Sequence, residues 1–162
     1  MTTNHSDYTI RALESHETFA VRNLVLRPNQ SIEACRFEGD EAADTFHFGA
    51  LSSAGEVIGV STVLCCDEPR YQQFSSQRQF RLRAMAVVPA FERQGIGKKL
   101  LNACLDEAFK RDCQTFWCNA RSSAAGFYLK CGFSIVNEDA FELEGIGPHH
   151  VMYKQLDKPV VE

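Results

Sequence analysis

The clearest pattern of apolar and polar positions lies between Gln79 and Asp112. Phe80, Leu82, Ala84 and Ala86 alternate with Arg81, Arg83 and Met85, and Val87-Val88 close an extended segment that Pro89 stops. Ile96, Leu100, Leu101, Cys104, Leu105, Ala108 and Phe109 then recur at three- and four-residue steps. That spacing predicts one apolar helix face running to about Asp112. A further strand, Thr115 to Ala120, follows. Strand, helix, strand is a crossover, so the two strands are expected to be parallel, with any ligand at their carboxyl ends.

The flanking chain has weaker signals. Tyr8 to Leu13 predicts a first strand. Ser15 caps a helix through Arg27, with Phe19, Ala20, Leu24 and Val25 on one face and Pro28 ending it. Residues 29–44 are polar and poorly periodic, a loop with a short helical piece. Thr45 to Leu51 and Val57 to Cys66 predict a hairpin across Ser52-Ser53-Ala54-Gly55, and 67–76 is a polar loop. Three successive strands with short links predict an antiparallel meander. Ser122 or Ser123 caps a short helix that Gly132 ends. Phe133 to Val136, Ala140 to Leu143 and Val151 to Leu156 are final strands, with a turn at Gly145-Ile146-Gly147-Pro148.

Between the central strand and helix lies Phe91-Glu92-Arg93-Gln94-Gly95-Ile96-Gly97-Lys98. Two glycines at alternate positions let backbone approach a ligand with no Cβ in the way. The first helical turn offers free N–H groups and the positive end of the dipole, a site for an anion and most often phosphate. Arg93, Lys98 and Lys99 add positive charge. Lys98 is followed by Lys99 and not by Ser or Thr, so this is no Walker loop. Leu100 stands where a dinucleotide fingerprint needs its third glycine or alanine. Taken alone, the glycines also fit a tight turn and nothing more.

The turn and its surroundings resemble the GCN5-related N-acetyltransferases (GNAT). Their acetyl-CoA motif follows a strand ending in Ala-Val-x-Pro and has the form Gln/Arg-x-x-Gly-x-Gly/Ala. This chain has Met85-Ala86-Val87-Val88-Pro89, then Glu92-Arg93-Gln94-Gly95-Ile96-Gly97, and downstream Asn119-Ala120-Arg121 and Ala125-Gly126-Phe127-Tyr128-Leu129-Lys130-Cys131-Gly132-Phe133. The resemblance is strong from about Arg81 to Phe133 and looser outside. It departs at Glu92, where Arg or Gln is usual; a carboxylate there is expected to point away from a pyrophosphate, while an amide cradle does not depend on it.

The resemblance implies an α/β fold with a central mixed, mostly antiparallel sheet, strands four and five parallel and splayed, and about four flanking helices, as a single domain over residues 1–162. It implies acetyl transfer from acetyl-CoA to a primary amine by direct attack in a ternary complex. Backbone of Met85, Ala86 and Val87 would pair with pantetheine and polarise the thioester. Amides of Arg93, Gln94, Gly95, Ile96, Gly97 and Lys98 would cradle the pyrophosphate. Tyr128 matches the family tyrosine that protonates the leaving thiolate; a phenol stays protonated at neutral pH. Asn119 matches a position that contacts CoA. The first helix and the loop after it help form the acceptor site. Many relatives carry a glutamate base on the central strand, but from Gln77 to Val88 this chain has only Arg78, Arg81 and Arg83 as charged residues. Glu38, Asp40, His47, Glu142, His149 or a water relay are the other candidates, and none is assigned.

Composition narrows the alternatives. At 162 residues the chain suits one domain with a real core. A net charge of −4 gives no reason to expect nucleic acid or an anionic membrane as partner, and fits a cationic amine weakly. Seven cysteines without a Cys-x-x-Cys pair spell neither a zinc knuckle nor a redox motif. They read as small buried hydrophobes in a reducing cytoplasm, Cys104, Cys118 and Cys131 in apolar stretches. The N-terminus has no signal-sequence pattern and no apolar run approaches a membrane span. Adjacent His149 and His150 point to opposite faces of a strand, so no metal site is expected. The acceptor could be a polyamine, amino acid, antibiotic, other small amine or protein terminus, and a homodimer would be usual for the family. A catalytically weak acyl-CoA-binding or sensing module of the same fold is the alternative.

Overall fold

The computed structural model describes residues 7–137, 140–143 and 147–156. They divide into two compact units: the chain through Leu64 with Leu82–Glu107, and Cys65–Arg81 with the described residues from Ala108 on.

In the first unit the strands are ordered β1 (Tyr8–Leu13), β2 (Phe46–Ser52), β3 (Val57–Cys65) and the later part of β4 (Gln79–Val87). β1 and β2 are antiparallel with Leu13 opposite His47, and β2 and β3 are antiparallel with His47 opposite Thr62. The predicted hairpin closes through Ser52 N–H donating to Glu56 O at 2.8 Å. The meander expected from the short links is therefore present.

The first helix differs from its sequence pattern. It opens as a 3-10 turn, Ser15–Thr18, passes through α1 (Phe19–Val21) and widens into a π-turn, Arg22–Leu26. Changing winding rotates the buried face: Val21 is buried with Val25 and Leu26 packed beside it, while Leu24 is 57% exposed. A uniform 3.6-residue period could not place these residues correctly. The loop's predicted helical piece is the 3-10 turn Ile32–Cys35.

Helix α2 (Ile96–Lys110) fixes the glycine turn in space. Ile96 and Leu100 are buried with Ala50 and Ile58, and burying a side chain such as Leu100 stabilises by about 1.5–3 kcal/mol. Gly59 on β3 makes the approach possible, since a Cβ there would lie 3.0 Å from Ile96 Cγ2 and 3.2 Å from Leu100 Cδ1.

The second unit holds the start of β4, β5 (Thr115–Arg121), α3 (Ala125–Lys130), β6 (Ser134–Ile135), β7 (Phe141–Leu143) and β8 (Gly147–Gln155). β8 pairs antiparallel with β5, β6 and β7. β5 neighbours β4 and runs parallel to it, the crossover read from the sequence; Arg78 O at the head of β4 accepts from the N–H groups of Gln114 and Thr115. Phe116, Trp117, Phe133 and Met152 form the buried interior, and Trp117 Nε1–H donates to Cys66 O at 2.8 Å. Of the predicted turn at Gly145-Ile146-Gly147-Pro148, residues 145 and 146 lie outside the described ones, and Gly147 and Pro148 open β8, the strand position where proline's missing N–H is tolerated. Among the described residues the longer helical segments are the mixed first one over 15–26, α2 and α3, with short 3-10 turns besides. No described helix is long and apolar enough to cross a membrane.

Candidate active site

In the first unit, β4 does not keep the strict alternation of its sequence. Ala84 has φ 54°, a left-handed conformation unusual for a non-glycine residue inside a strand. Its effect is visible in what the neighbours touch. Arg83 bonds to Asp40, on the face where Arg22 and Thr62 meet. Ala86, three residues later, is on that same face with Val21 and Val60, whereas Met85 and Val87 pack toward Ile96 and Leu100. An odd separation between residues on one face means one residue has been inserted, as in a bulge. A bulge interrupts the ladder, which suits Met85, Ala86 and Val87 to pairing with something other than a neighbouring strand.

The turn after β4 is made of backbone. Arg93 has φ 63° and Gly95 has φ 79°, two left-handed residues flanking Gln94. Lys99 N–H donates to Gly95 O at 3.1 Å and is the first helical bond, so the amides of Ile96, Gly97 and Lys98 precede any intrahelical acceptor. Left-handed residues next to a helix start turn successive N–H groups into one concavity, an anion nest. A Cβ at Gly95 would meet only Tyr8 Oη, at 4.0 Å, so the glycine answers to its φ and not to crowding by protein. Tyr8 O–H donates to Gln94 O at 3.4 Å. Gln94 Oε1 is buried with no donor among the described residues. Glu92 is exposed, and so are Arg93, Lys98 and Lys99.

The same unit holds a buried network that sequence reasoning did not find. Arg22, at the head of the π-turn, is 0% exposed. Its Nη1 donates to Asp40 Oδ2 at 2.6 Å and Cys35 O at 2.8 Å, and its Nη2 to Asp40 Oδ1 at 3.0 Å and Thr62 Oγ1 at 2.8 Å. Asp40 also accepts from Phe37 N–H at 2.9 Å and Arg83 Nη2 at 3.1 Å. Burial alone would raise the Asp40 carboxyl, but Arg22, the Phe37 amide and Arg83 together hold it below its ordinary value. The Asp40 carbonyl can only accept, so Nε2 carries the proton of the neutral His47 ring, and Nδ1 accepts from Thr62 Oγ1, 2.7 Å away. His47 is then the Nε2–H tautomer and donates to Asp40 O at 3.1 Å. Burial lowers the His47 pKa, outweighing the Asp40 carbonyl that raises it.

Two of the candidate bases are thereby engaged elsewhere. Asp40 is an ion-pair acceptor with both oxygens in use, and the His47 lone pair is occupied by Thr62. Glu38 is exposed, with its carbonyl accepting from Arg83 Nη2 at 2.5 Å. The only sequence signal for the network is that Arg22, inside a helix pattern, stands among residues expected to be apolar.

In the second unit, Asn119 on β5 lies opposite Val151, and its Oδ1 is buried with no donor among the described residues. A buried acceptor without a protein donor is one that a bound N–H group would satisfy. Tyr128 on α3 is buried, edge-on to Phe127 and Phe133 at centroid distances of 5.1 and 5.4 Å. Burial pushes the neighbouring Cys118 thiol up to about 12, a hydrogen bond from Tyr128 pulling the other way. Cys104 and Cys113 are likewise raised to about 12 by burial, so these thiols are inert packing groups, as the apolar stretches around Cys104 and Cys118 predict. Cys131 is only partly buried and Cys65 is exposed; all seven cysteines are free. His149 is buried and its Nδ1–H donates to Gly147 O at 2.8 Å, while His150 turns the other way toward Asn137 O. The Glu142 side chain lies outside the described ones. No group of three or more His, Cys, Asp or Glu suited to a metal occurs among the described residues.

Comparison with known proteins places these features. The model of the Acetyltransferase (GNAT) family matches residues 9–133. The chain is 33% identical over 147 residues to an uncharacterised N-acetyltransferase, YitI, of Bacillus subtilis (strain 168), covering 91% of this chain and 95% of that one. Its fold matches the crystal structure of the histone acetyltransferase HPA2 and related acetyltransferase from Corynebacterium glutamicum, with TM-score 0.74 at 18% identity over 96% and 99% of the two chains. It also matches a spermidine/spermine N-acetyltransferase, SpeG, from Vibrio cholerae, with TM-score 0.67 at 18% identity over 93% and 94%.

Proposed function

Because the chain belongs to the GNAT acetyltransferase family and is by that membership an N-acetyltransferase, we propose that it moves an acetyl group from acetyl-CoA to a primary amine of a small molecule or peptide by direct attack in a ternary complex. The observation that carries this reading is the backbone nest at Arg93–Lys98, with left-handed φ at Arg93 and Gly95 and free amides at the start of α2. The donor set is chemically right for a pyrophosphate: neutral, convergent N–H groups at a dipole's positive end, with exposed lysines around them.

Acetyl-CoA supplies the activated thioester. The amides of Arg93, Gln94, Gly95, Ile96, Gly97 and Lys98 hold its phosphates. The backbone of Met85, Ala86 and Val87, beyond the bulge at Ala84, binds its pantetheine arm like an added strand and aims an N–H at the carbonyl oxygen that gains charge. The Asn119 carboxamide accepts from an N–H of the same arm. Tyr128 keeps its proton at neutral pH and gives it to the departing sulfur. We take residues 1–162 as one such catalytic domain, working in a reducing cytoplasm where free cysteines persist.

Calorimetric titration with acetyl-CoA tests the reading. Wild type should bind and Gly97→Trp should not, and Tyr128→Phe should bind normally but release thiol more slowly. Absence of binding by wild type would leave the glycines as a structural turn. The second reading, a CoA-binding sensor, is favoured by one observation: Asp40 and His47 are both committed to hydrogen bonds. Acetyl-CoA binding with no thiol release across a panel of amines would select it.

A further inference from the structure

We propose that the acceptor amine also carries a carboxylate, held by Arg83 with Arg27 beside it, so that the enzyme acts on free amino acids and not on polyamines. This rests on the acetyltransferase reading above. Three guanidinium groups surround the Phe37 ring: Arg22 at 4.3 Å from its centroid, Arg27 at 4.5 Å and Arg83 at 5.7 Å. Only one carboxylate, Asp40, is buried among them. Asp40 is already matched by fully buried Arg22 in a two-oxygen pair. Glu41 bonds to Ser15, and Glu33, Glu38 and Asp44 are exposed. The cluster therefore has positive charge in excess.

Arg83 carries that excess into a half-buried position. Its side chain is 17% exposed, its Nη2 is used by Glu38 O and Asp40, and its Nε finds no acceptor among the described residues. With both Nη2 hydrogens spent, the donor that Arg83 has left toward solvent is Nη1, and a carboxylate is the anion that takes a charge-assisted hydrogen bond from it and offsets the unmatched charge. Arg27 spends Nη1 on Ala34 O at 2.7 Å, which fixes its guanidinium over Phe37. Arg83 leaves β4 two residues before Met85, so an acceptor anchored there stands beside the stretch assigned to the thioester, within roughly 7 Å along the strand.

The same charges answer the missing glutamate. Clustered arginines disfavour an ammonium nearby and favour the neutral, attacking amine, so part of a base's work is done by the field of Arg27 and Arg83. A polyamine brings two or more positive charges to this wall and is repelled. The chain's net −4 does not reverse this, because charges farther than a Debye length of about 8 Å are screened while the half-buried cluster is not.

The test uses wild type, Arg83→Ala and Arg83→Lys, first titrated with acetyl-CoA, then assayed for thiol release with free L-amino acids, the same amino acids as amides, and spermidine. Arg83→Ala keeps the Arg22–Asp40 pair, and an acetyl-CoA affinity equal to wild type certifies its fold. The expected result is a free amino acid used roughly 100-fold better than its amide or spermidine, with KM raised about 10- to 100-fold in Arg83→Ala and partly recovered in Arg83→Lys. If acetyl-CoA binds but amides or spermidine are used as well as free amino acids, or Arg83→Ala leaves that ratio alone, the carboxylate assignment is overturned by itself. If acetyl-CoA does not bind at all, the acetyltransferase reading fails and takes this inference with it.

Discussion

The glycine turn and the arginine network belong to the same compact unit and are built from opposite materials. The turn is backbone: two left-handed residues, a helix start and three amides, all within seven positions of one another. Its charged side chains, Glu92, Arg93, Lys98 and Lys99, are all exposed. The network is side chains: Arg22, Asp40, His47, Thr62 and Arg83 come from five separate segments and meet only after folding. One site is set by backbone conformation, the left-handed φ at Arg93 and Gly95. The other depends on its partners, because Arg22, Asp40, His47 and Thr62 are buried and hydrogen-bonded to one another.

The largest expected effect comes from breaking the network. Arg22→Ala strands the Asp40 carboxylate beside His47 with only Arg83 to pair it, and should lower stability by about 3–5 kcal/mol. The readout is the urea midpoint in the presence and absence of acetyl-CoA. Arg22→Met combined with Asp40→Leu removes both charges and should recover most of the loss, since a buried pair replaced by packed apolar groups is often neutral. A double variant as unstable as Arg22→Ala would show that Thr62, Cys35 and Phe37 depend on the pair for more than charge. Gly97→Trp is the opposite case: under the proposed reading acetyl-CoA binding disappears, while the urea midpoint should move less than in Arg22→Ala because Gly97 is only half-buried.

This division also explains what the sequence made legible. The turn, the crossover strands and helix, and the meander were readable because each is written in local spacing: alternate glycines, a period of two, a period of three to four. The first helix departs from its pattern because its winding changes from 3-10 to α to π, and that change, which no fixed period contains, exposes Leu24 and buries Arg22. The bulge at Ala84 is invisible in the sequence because alanine carries no turn signal, although its φ is left-handed. The network was illegible for a different reason. Nothing in the sequence near Asp40 announces an arginine from the first helix and a threonine from β3, and a list of candidate bases drawn from the sequence necessarily included Asp40 and His47.

A smaller effect tests the backbone half of the comparison. Gly95→Ala keeps space for its methyl but forces an L-residue into φ 79°, at a cost of about 1–2 kcal/mol. Two outcomes are separable by thermal melting with and without acetyl-CoA. If the turn holds its shape, the strain appears as lost stability and the affinity is kept. If the turn relaxes, stability is kept and the amides no longer converge, so affinity falls. Gln94→Ala, at a position whose Oε1 lacks a donor among the described residues, should change neither by much.

The smallest effect is a pH dependence that separates His47 from Asp40. Both groups titrate lower in the folded protein than their ordinary values of 6.5 and 3.8, so in each case the unfolded chain binds the proton first and acid favours unfolding. The windows differ. Between pH 7.5 and 5 Asp40 is ionised in both states and contributes no slope, whereas His47 begins to withdraw stability as pH falls below about 6.5. The urea midpoint of wild type minus that of His47→Gln should therefore be largest above pH 6.5 and shrink toward pH 5, the glutamine variant having no proton to take up at this site. A difference that grows on acidification would mean that folded His47 prefers its charged form. Thr62 would then be accepting from both Arg22 and His47, and the tautomer that rules His47 out as a base would be wrong.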